Sequence, residues 1–477
     1  MQLQYGSGLR LRRGFALDSF PDTGITDVIG ARSRAAGGTM SEGQHTQSAI
    51  EHAVIRKVGW RCLPALLTAF IVSYLDRVNI GFAALTASKD LHMSASVFGL
   101  GAGLFFITYL IFEAPSNYIL ERVGGRLWLG LVMVICGLIA ASMTMVKGPA
   151  SFYAVRLALG AVEAGLFPGV VLYLTYWAPK AARARFLSLF ALGIPLSSVI
   201  GSPISGAILS LNLGMGLKGW QWLYILEAIP AVLVGIWIWS TLTDRPEQAQ
   251  WLTDEERTWL TTTIARERAG SPMGHPSLLK SLKLLADPRV IVLSLVFFGT
   301  GIPSYGMGFW IPQIVKGFGK LTFFETGLIS AIPFLFGSIG MVVWGRVSDH
   351  KRERVVHTVI AATVAGLGLI ACIWLTAPIP ALIALSVAGA GTYGVKGPFL
   401  SSVSESFTPA EAAVGIALVS SFGNLSGLAG PWMIGVIKDA TGSFPLALLT
   451  LGLWAIFGGL LMFLRPRPPE PVPQPAE

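Results

Sequence analysis

The chain has 477 residues, of which 53% are hydrophobic and only 13% charged, and its mean hydropathy is +0.64. No soluble core of this length needs so much apolar material, so composition excludes an ordinary soluble domain and points to an all-α membrane protein. The formal net charge of +9 would suit a nucleic-acid partner, but the basic residues alternate between short connections. That pattern belongs to membrane topology.

In chain order, residues 1–57 are polar and Gly-rich and lack the apolar run of a secretory signal, so a disordered cytoplasmic tail is expected. Met40 opens a conventional short polar lead, and residues 1–39 are read as an artefact of start-site choice. Twelve apolar runs of membrane-spanning length follow, near 58–87, 97–120, 127–146, 151–178, 186–212, 219–242, 288–315, 323–345, 355–376, 379–407, 412–437 and 444–464. Lipid offers no partners to open backbone groups, so each is a helix. They form two sets of six, 58–243 and 288–465, separated by a hydrophilic linker at 244–287. Within the linker, Thr253 and Glu256 have the spacing of a capping box, and Trp259, Leu260 and Ile264 follow on one helical face. Residues 466–477 are too Pro-rich for anything but an extended cytoplasmic end.

Arg122 and Arg126 lie between spans two and three, Lys180, Arg183 and Arg185 between four and five, and Lys351, Arg352 and Arg354 between eight and nine. The alternate short loops carry only scattered lysines such as Lys89, Lys147 and Lys218. The positive-inside rule therefore puts both termini in the cytoplasm, with the uncharged-to-acidic segment 404–413 as the one dissenter. Cys62, Cys136 and Cys372 fall singly within apolar helices, and the six histidines fall in tails, loops or helix ends. Neither set has metal-ligand spacing, so no enzyme activity and no cofactor is expected. A sensor with an output domain is disfavoured, since the linker is shorter than the ~50 residues a domain needs.

Asp76 and Arg77 sit side by side inside the first span, where an ionised group costs at least ~2.5 kcal/mol and by default faces a partner or a wet cavity. In the fourth span Arg156 and Glu163 are seven residues apart, which returns to within about 20° of one helical face. Tyr109, Glu163, Asp76 and Asn424 each fall about twelve to fourteen residues from a span end, so all four converge near mid-membrane. Asp76 with Arg77, or Arg156 alone, could instead be a structural clamp. Glu113, Lys396 and Glu405 are also at or near membrane depth; Lys396 either attracts an anion or pairs with Glu405. The segments Asn117–Arg126 and Gly345–Arg354 echo each other, an acid (Glu121 or Asp349) leading a basic cluster in each half. Such parallel repeats build many transporters.

These two segments resemble the Gly-x-x-x-Asp-Arg-x-Gly-Arg-Arg signature of the major facilitator superfamily, with Asn117 and Glu121 replacing the first glycine and the aspartate in one copy and His350 following Asp349 in the other. Further strings resemble its anion:cation symporter branch, which includes bacterial carriers of tartrate, phthalate and galactonate: Tyr74–Ala83, Arg156–Trp177, Arg245–Glu256, Tyr305–Lys316, Lys396–Phe399 and Gly430–Phe444. The resemblance implies two pseudo-symmetric six-helix halves. It implies proton-coupled uptake of a small organic anion, such as a sugar acid, hydroxy-dicarboxylate or aromatic carboxylate, by alternating access across a bacterial inner membrane. It further implies that Asp76 and Glu163 take protons, that Arg77 and Arg156 support the acid substrate, and that Tyr109, Ser401 and Asn424 line the site, with Ser402 adjacent to Ser401. Glu121, Arg122, Arg126, Asp349 and Arg352 would make gating contacts between the halves. The expected partners are the anion, the proton and the lipid bilayer, with no nucleic acid and no second subunit. An efflux antiporter is the alternative, hinted at by the Gly–Pro pattern of Gly201–Gly206. Which acid carries the coupled proton stays open.

Overall fold

The computed structural model describes residues 42–211, 213–269, 284–375, 377–408 and 411–466. The start-site reading and the Pro-rich end beyond 466 lie outside the described residues. Among the described residues, eleven helices are long and apolar enough to span a membrane: Ser48–Asp90, Ala95–Val123, Gly125–Met145, Pro149–Trp177, Lys180–Ser210, Gly219–Thr241, Pro288–Lys316, Phe323–Lys351, Pro378–Glu405, Val414–Thr441 and Pro445–Leu464. A shorter apolar helix, Val355–Ala371, occupies the ninth place. Its 17 residues rise about 25 Å, at the short end of what a ~30 Å hydrocarbon core requires. We number these spans 1 to 12 in chain order. No strand occurs among the described residues.

Two differences from expectation have simple causes. The helix bearing span 1 begins at Glu42, so residues 42–57 are helical rather than disordered. Val54 in this lead and Val58 just after it are fully buried, which gives it an apolar side to pack. The two signature segments are mostly helix: Asn117–Val123 ends span 2 and Gly345–Lys351 ends span 8, leaving only Gly124 and Arg352 to Arg354 as connections. Gly124 has φ 92° and Arg352 φ 52°, so each connection turns through the left-handed region.

Three spans are broken within the bundle. Span 4 consists of Pro149–Glu163 and Leu166–Trp177, span 10 of Pro378–Gly394 and Lys396–Glu405, and span 11 of Ala412–Asn424 and Ser426–Thr441. Irregular backbone at membrane depth persists only where protein or a polar cavity satisfies it, and carriers use such breaks to build binding sites. Each break is next to a residue singled out by its chemistry: Glu163, Lys396 and Asn424.

The halves pack through span 2 against span 11 and span 5 against span 8. The close approaches lie at the end of the bundle opposite the basic connections. There Gly99 and Gly435 admit the backbones of Pro431 and Ala95, and a Cβ at Gly206 would lie 2.5 Å from the Phe323 carbonyl oxygen. Asp439 of span 11 accepts the amides of Ala95 and Ser96 at 2.9 and 2.8 Å, capping span 2 across the interface. Towards the basic end the contact is lost: among residues 111–123 of span 2 only Ser116 and Leu120 are buried. The halves therefore meet at one end and part at the other.

The linker helix, Asp254–Ala269, starts as its sequence requires. The Glu256 amide donates to Thr253 Oγ1 at 3.3 Å and the Thr253 amide to Glu256 Oε2 at 3.0 Å. Leu260 and Ile264 are buried, and Lys57 reaches Glu256 at 2.8 Å, docking the linker onto the first helix.

Candidate functional site

Of the expected acids and arginines, Arg77 and Glu163 meet at the break in span 4. Arg77 donates from Nε and Nη2 to Glu163 Oε1 at 2.8 and 2.5 Å, and Ser73, one turn earlier, donates to the same oxygen at 2.6 Å. Glu163 is 1% exposed, and its Oε2 is buried with no hydrogen-bond partner among the described residues. One carboxylate oxygen is thus saturated and the other bare. The Arg77 guanidinium lies over aromatic faces, 4.4 Å from the Tyr74 ring centroid, 4.9 Å from Phe105 and 5.4 Å from Tyr109. Rings of this kind hold a cation without neutralising it.

Asp76 points elsewhere. It is buried, accepts a hydrogen bond from Asn79 Nδ2 at 3.2 Å, and shares no ion pair with its neighbour Arg77. Arg156 is also buried, and its donors go to the carbonyls of Ala102 at 3.1 Å and Gly101 at 3.4 Å in span 2, with Phe105 5.0 Å from the guanidinium. It latches span 4 to span 2. The seven-residue spacing does put Arg156 and Glu163 on one face, but they are joined through Phe105 and Arg77 rather than to each other.

Glu227 in span 6 is a further buried carboxyl, absent from the expectations above. Its Oε1 accepts from Ser205 at 2.7 Å, while Oε2 meets no hydrogen-bond partner among the described residues. The signal for it is the one that marks Asp76, a lone acid within an apolar run (Trp222-LYILEAIPAVLVG-Gly235).

Across the interface, Tyr305 of span 7 packs its ring 4.6 Å from Phe106 and its hydroxyl lies 3.3 Å from Asn424 Oδ1. Tyr109 is buried beside Arg77, and Asn424 is half-buried beside Tyr305. Ser401 is half-buried, whereas Ser402 is fully buried, its hydroxyl without a partner among the described residues. Glu405 is taken by Arg354 at 3.1 Å, and Arg354 also holds Asp349 at 2.6 Å. Lys396 therefore does not pair with Glu405. Arg126 is tied to its own half as well, its amide donating to Asp244 at 2.8 Å and its Nε to the Trp239 carbonyl at 2.6 Å. Glu121 and Arg122 are exposed at the parted end. In this conformation each signature segment braces the half it belongs to.

A twelve-span bundle with a charged, aromatic-lined centre between halves that touch at one end is a membrane transporter. The chain belongs to the Major Facilitator Superfamily, whose sequence model matches residues 66–431. It is 46% identical over 413 residues to a protein of Agrobacterium vitis named "Putative tartrate transporter", covering 87% of this chain and 90% of that one. It is 35% identical over 415 residues to a "Quinolone resistance transporter" of Acinetobacter baumannii, covering 87% and 95%. Among solved structures, a bacterial homologue of the human lysosomal transporter Spinster in an inward-facing, occupied conformation superimposes with a TM-score of 0.69 at 15% identity, over 84% of this chain and 96% of that one.

Proposed function

We propose that this protein takes up a small organic anion together with a proton, by alternating access, across a bacterial inner membrane with the basic end of the bundle in the cytoplasm. The observation that carries the proposal is the Arg77–Glu163 pair. An arginine cannot lose its proton, so it must pair either with the internal carboxylate or with that of the substrate. A proton arriving at the bare Oε2 of Glu163 removes the competing charge, and Arg77 then takes the anion. Proton and anion move together because an uncompensated buried charge opposes the switch between conformations. This makes Glu163 the acid of direct coupling. Asp76, which accepts from Asn79 rather than pairing with Arg77, is a second proton-binding group, and Arg156 transmits the state of span 4 to span 2. Tyr109, Asn424 and Ser401 contact the anion. The signature residues Glu121, Arg122, Arg126, Asp349 and Arg352 meet across the halves when the basic end closes.

The carboxylate class is supported by the arginine site and by the relative named for tartrate. The relative named for quinolone resistance favours a second reading, export of an organic acid or drug. Right-side-out vesicles separate the two. Import with a proton predicts anion-dependent alkalinisation of the external medium, whereas acidification or substrate loss on an imposed proton gradient would overturn it in favour of export.

A further inference from the structure

Lys396 stands at the start of the second piece of span 10, at the break that answers the one in span 4 of the other half. It is half-buried and has no ion-pair partner among the described residues. Its ammonium lies about equally far from two ring centroids, Tyr393 at 5.9 Å and Phe297 at 6.0 Å. Phe297 fills the space over Gly423, the residue before Asn424. The Tyr305 hydroxyl meets Asn424 at 3.3 Å, the Tyr305 ring lies 4.6 Å from that of Phe106, and the Arg77 guanidinium lies 6.0 Å from the Phe106 ring centroid. Phe297, Asn424, Tyr305 and Phe106 thus connect a cation of the first half to a cation of the second.

Depth agrees with this path. Counted from the closed end of each span, Arg77 is thirteen residues in and Lys396 eighteen, a difference of about 7 Å along the bundle. An ammonium at this depth is costly unless an anion visits it, and Glu405, the nearby acid in sequence, is held by Arg354. The cation on each half differs in its resting partner: Arg77 is neutralised by Glu163, while Lys396 has rings alone.

The geometry points to Lys396 as a second anion-binding pole, so that the carried species is a small dicarboxylate held between Arg77 of one half and Lys396 of the other. This rests on the reading of the centre as an organic-anion carrier and adds the requirement for two charges. A dianion bridging the halves also supplies a reason for the parted end to close on it, since each half then gains an ion pair from the same molecule.

A matched pair of probes tests the inference: tartrate, and threonate, in which one carboxylate of the same four-carbon skeleton is replaced by a hydroxymethyl group. Phthalate with benzoate serves as an aromatic pair. Binding to the full-length purified protein is measured by titration calorimetry. The wild type is expected to bind the dicarboxylate of at least one pair tenfold or more tighter than its monocarboxylate. Lys396→Gln should erase that preference by weakening the dicarboxylate at least tenfold while changing the monocarboxylate less than twofold, and Lys396→Arg should restore most of it. Retained monocarboxylate binding shows that the variant is folded. Equal loss for both members of a pair, or no loss for the dicarboxylate, overturns the second pole and leaves the carrier reading standing. Failure of the wild type to bind any of the four overturns both.

Discussion

Replacing Glu163 by Gln separates binding from coupling. Gln keeps the size of Glu and an acceptor for Ser73, so the break in span 4 should fold unchanged, but the charge opposite Arg77 is gone. In the wild type with Glu163 ionised, an incoming anion must displace two charge-assisted bonds from Arg77. A hydrogen bond to a charged group is worth about 1.5–3 kcal/mol net. Removing even one such competitor raises anion affinity by about tenfold. The affinity of the variant should also no longer rise as the medium is acidified, because the proton that clears Arg77 is no longer needed. Coupling is read in proteoliposomes with the membrane potential clamped at zero. One pH unit corresponds to 1.36 kcal/mol, so one-to-one symport accumulates the anion up to about tenfold, whereas Glu163→Gln should equilibrate it at a ratio near one while still exchanging labelled for unlabelled anion. Accumulation by the variant equal to wild type, or weaker binding at neutral pH, would refute the reasoning.

At the closed end, Gly206→Val pushes a side chain into the backbone of Phe323, where a Cβ already lies 2.5 Å from the carbonyl oxygen. Overpacking of this kind costs about 1–3 kcal/mol, paid only in the conformation seen here. Interhalf distances from spin labels at this end should shift to the longer population; an unchanged distribution counts against the gate. Glu227→Gln retains acceptors for Ser205 and should leave thermal stability within about 1 kcal/mol of wild type, while Glu227→Leu strands the Ser205 hydroxyl and lowers it by about 1–3 kcal/mol. If Gln is as damaging as Leu, Glu227 acts as a charge. In the linker, burial pushes the Glu256 carboxyl up, but the bonds from Lys57 and Thr253 outweigh it and hold it below its ordinary 4.5. A depressed carboxyl stabilises above its unfolded value and loses that contribution as pH falls through the folded one. The hydrogen-exchange protection factor across 254–269, which divides out the intrinsic pH dependence of the amides, should therefore fall below about pH 4.5 relative to pH 7, and Lys57→Met should reduce the difference; a pH-independent protection factor in the wild type would show that the Lys57 contact does not dock the helix.

Span count and order were legible because a stretch of apolar residues long enough to cross lipid has only one way to satisfy its backbone. The linker helix was legible because a capping box is local, three residues across, and needs no tertiary partner. Asp76, Arg77, Arg156 and Glu163 could likewise be recognised one at a time, since each is costly where it stands. Glu227 obeys the same rule, and depth alone would have marked it.

Pairing was another matter. Arg77 and Asp76 are neighbours in sequence, yet successive helical residues diverge by about 100°, so Arg77 turns to Glu163 and Asp76 to Asn79. Arg156 shares a face with Glu163 but is claimed by two carbonyls of span 2. The choice left open for Lys396 was decided by Arg354, which comes from the connection between spans 8 and 9 and occupies Glu405. The sequence determined which groups lipid would not tolerate; apart from Asn79, one turn from Asp76 in the same helix, only the tertiary structure decided their partners, because those partners are brought close by helices far apart in the chain and no local spacing encodes the contact.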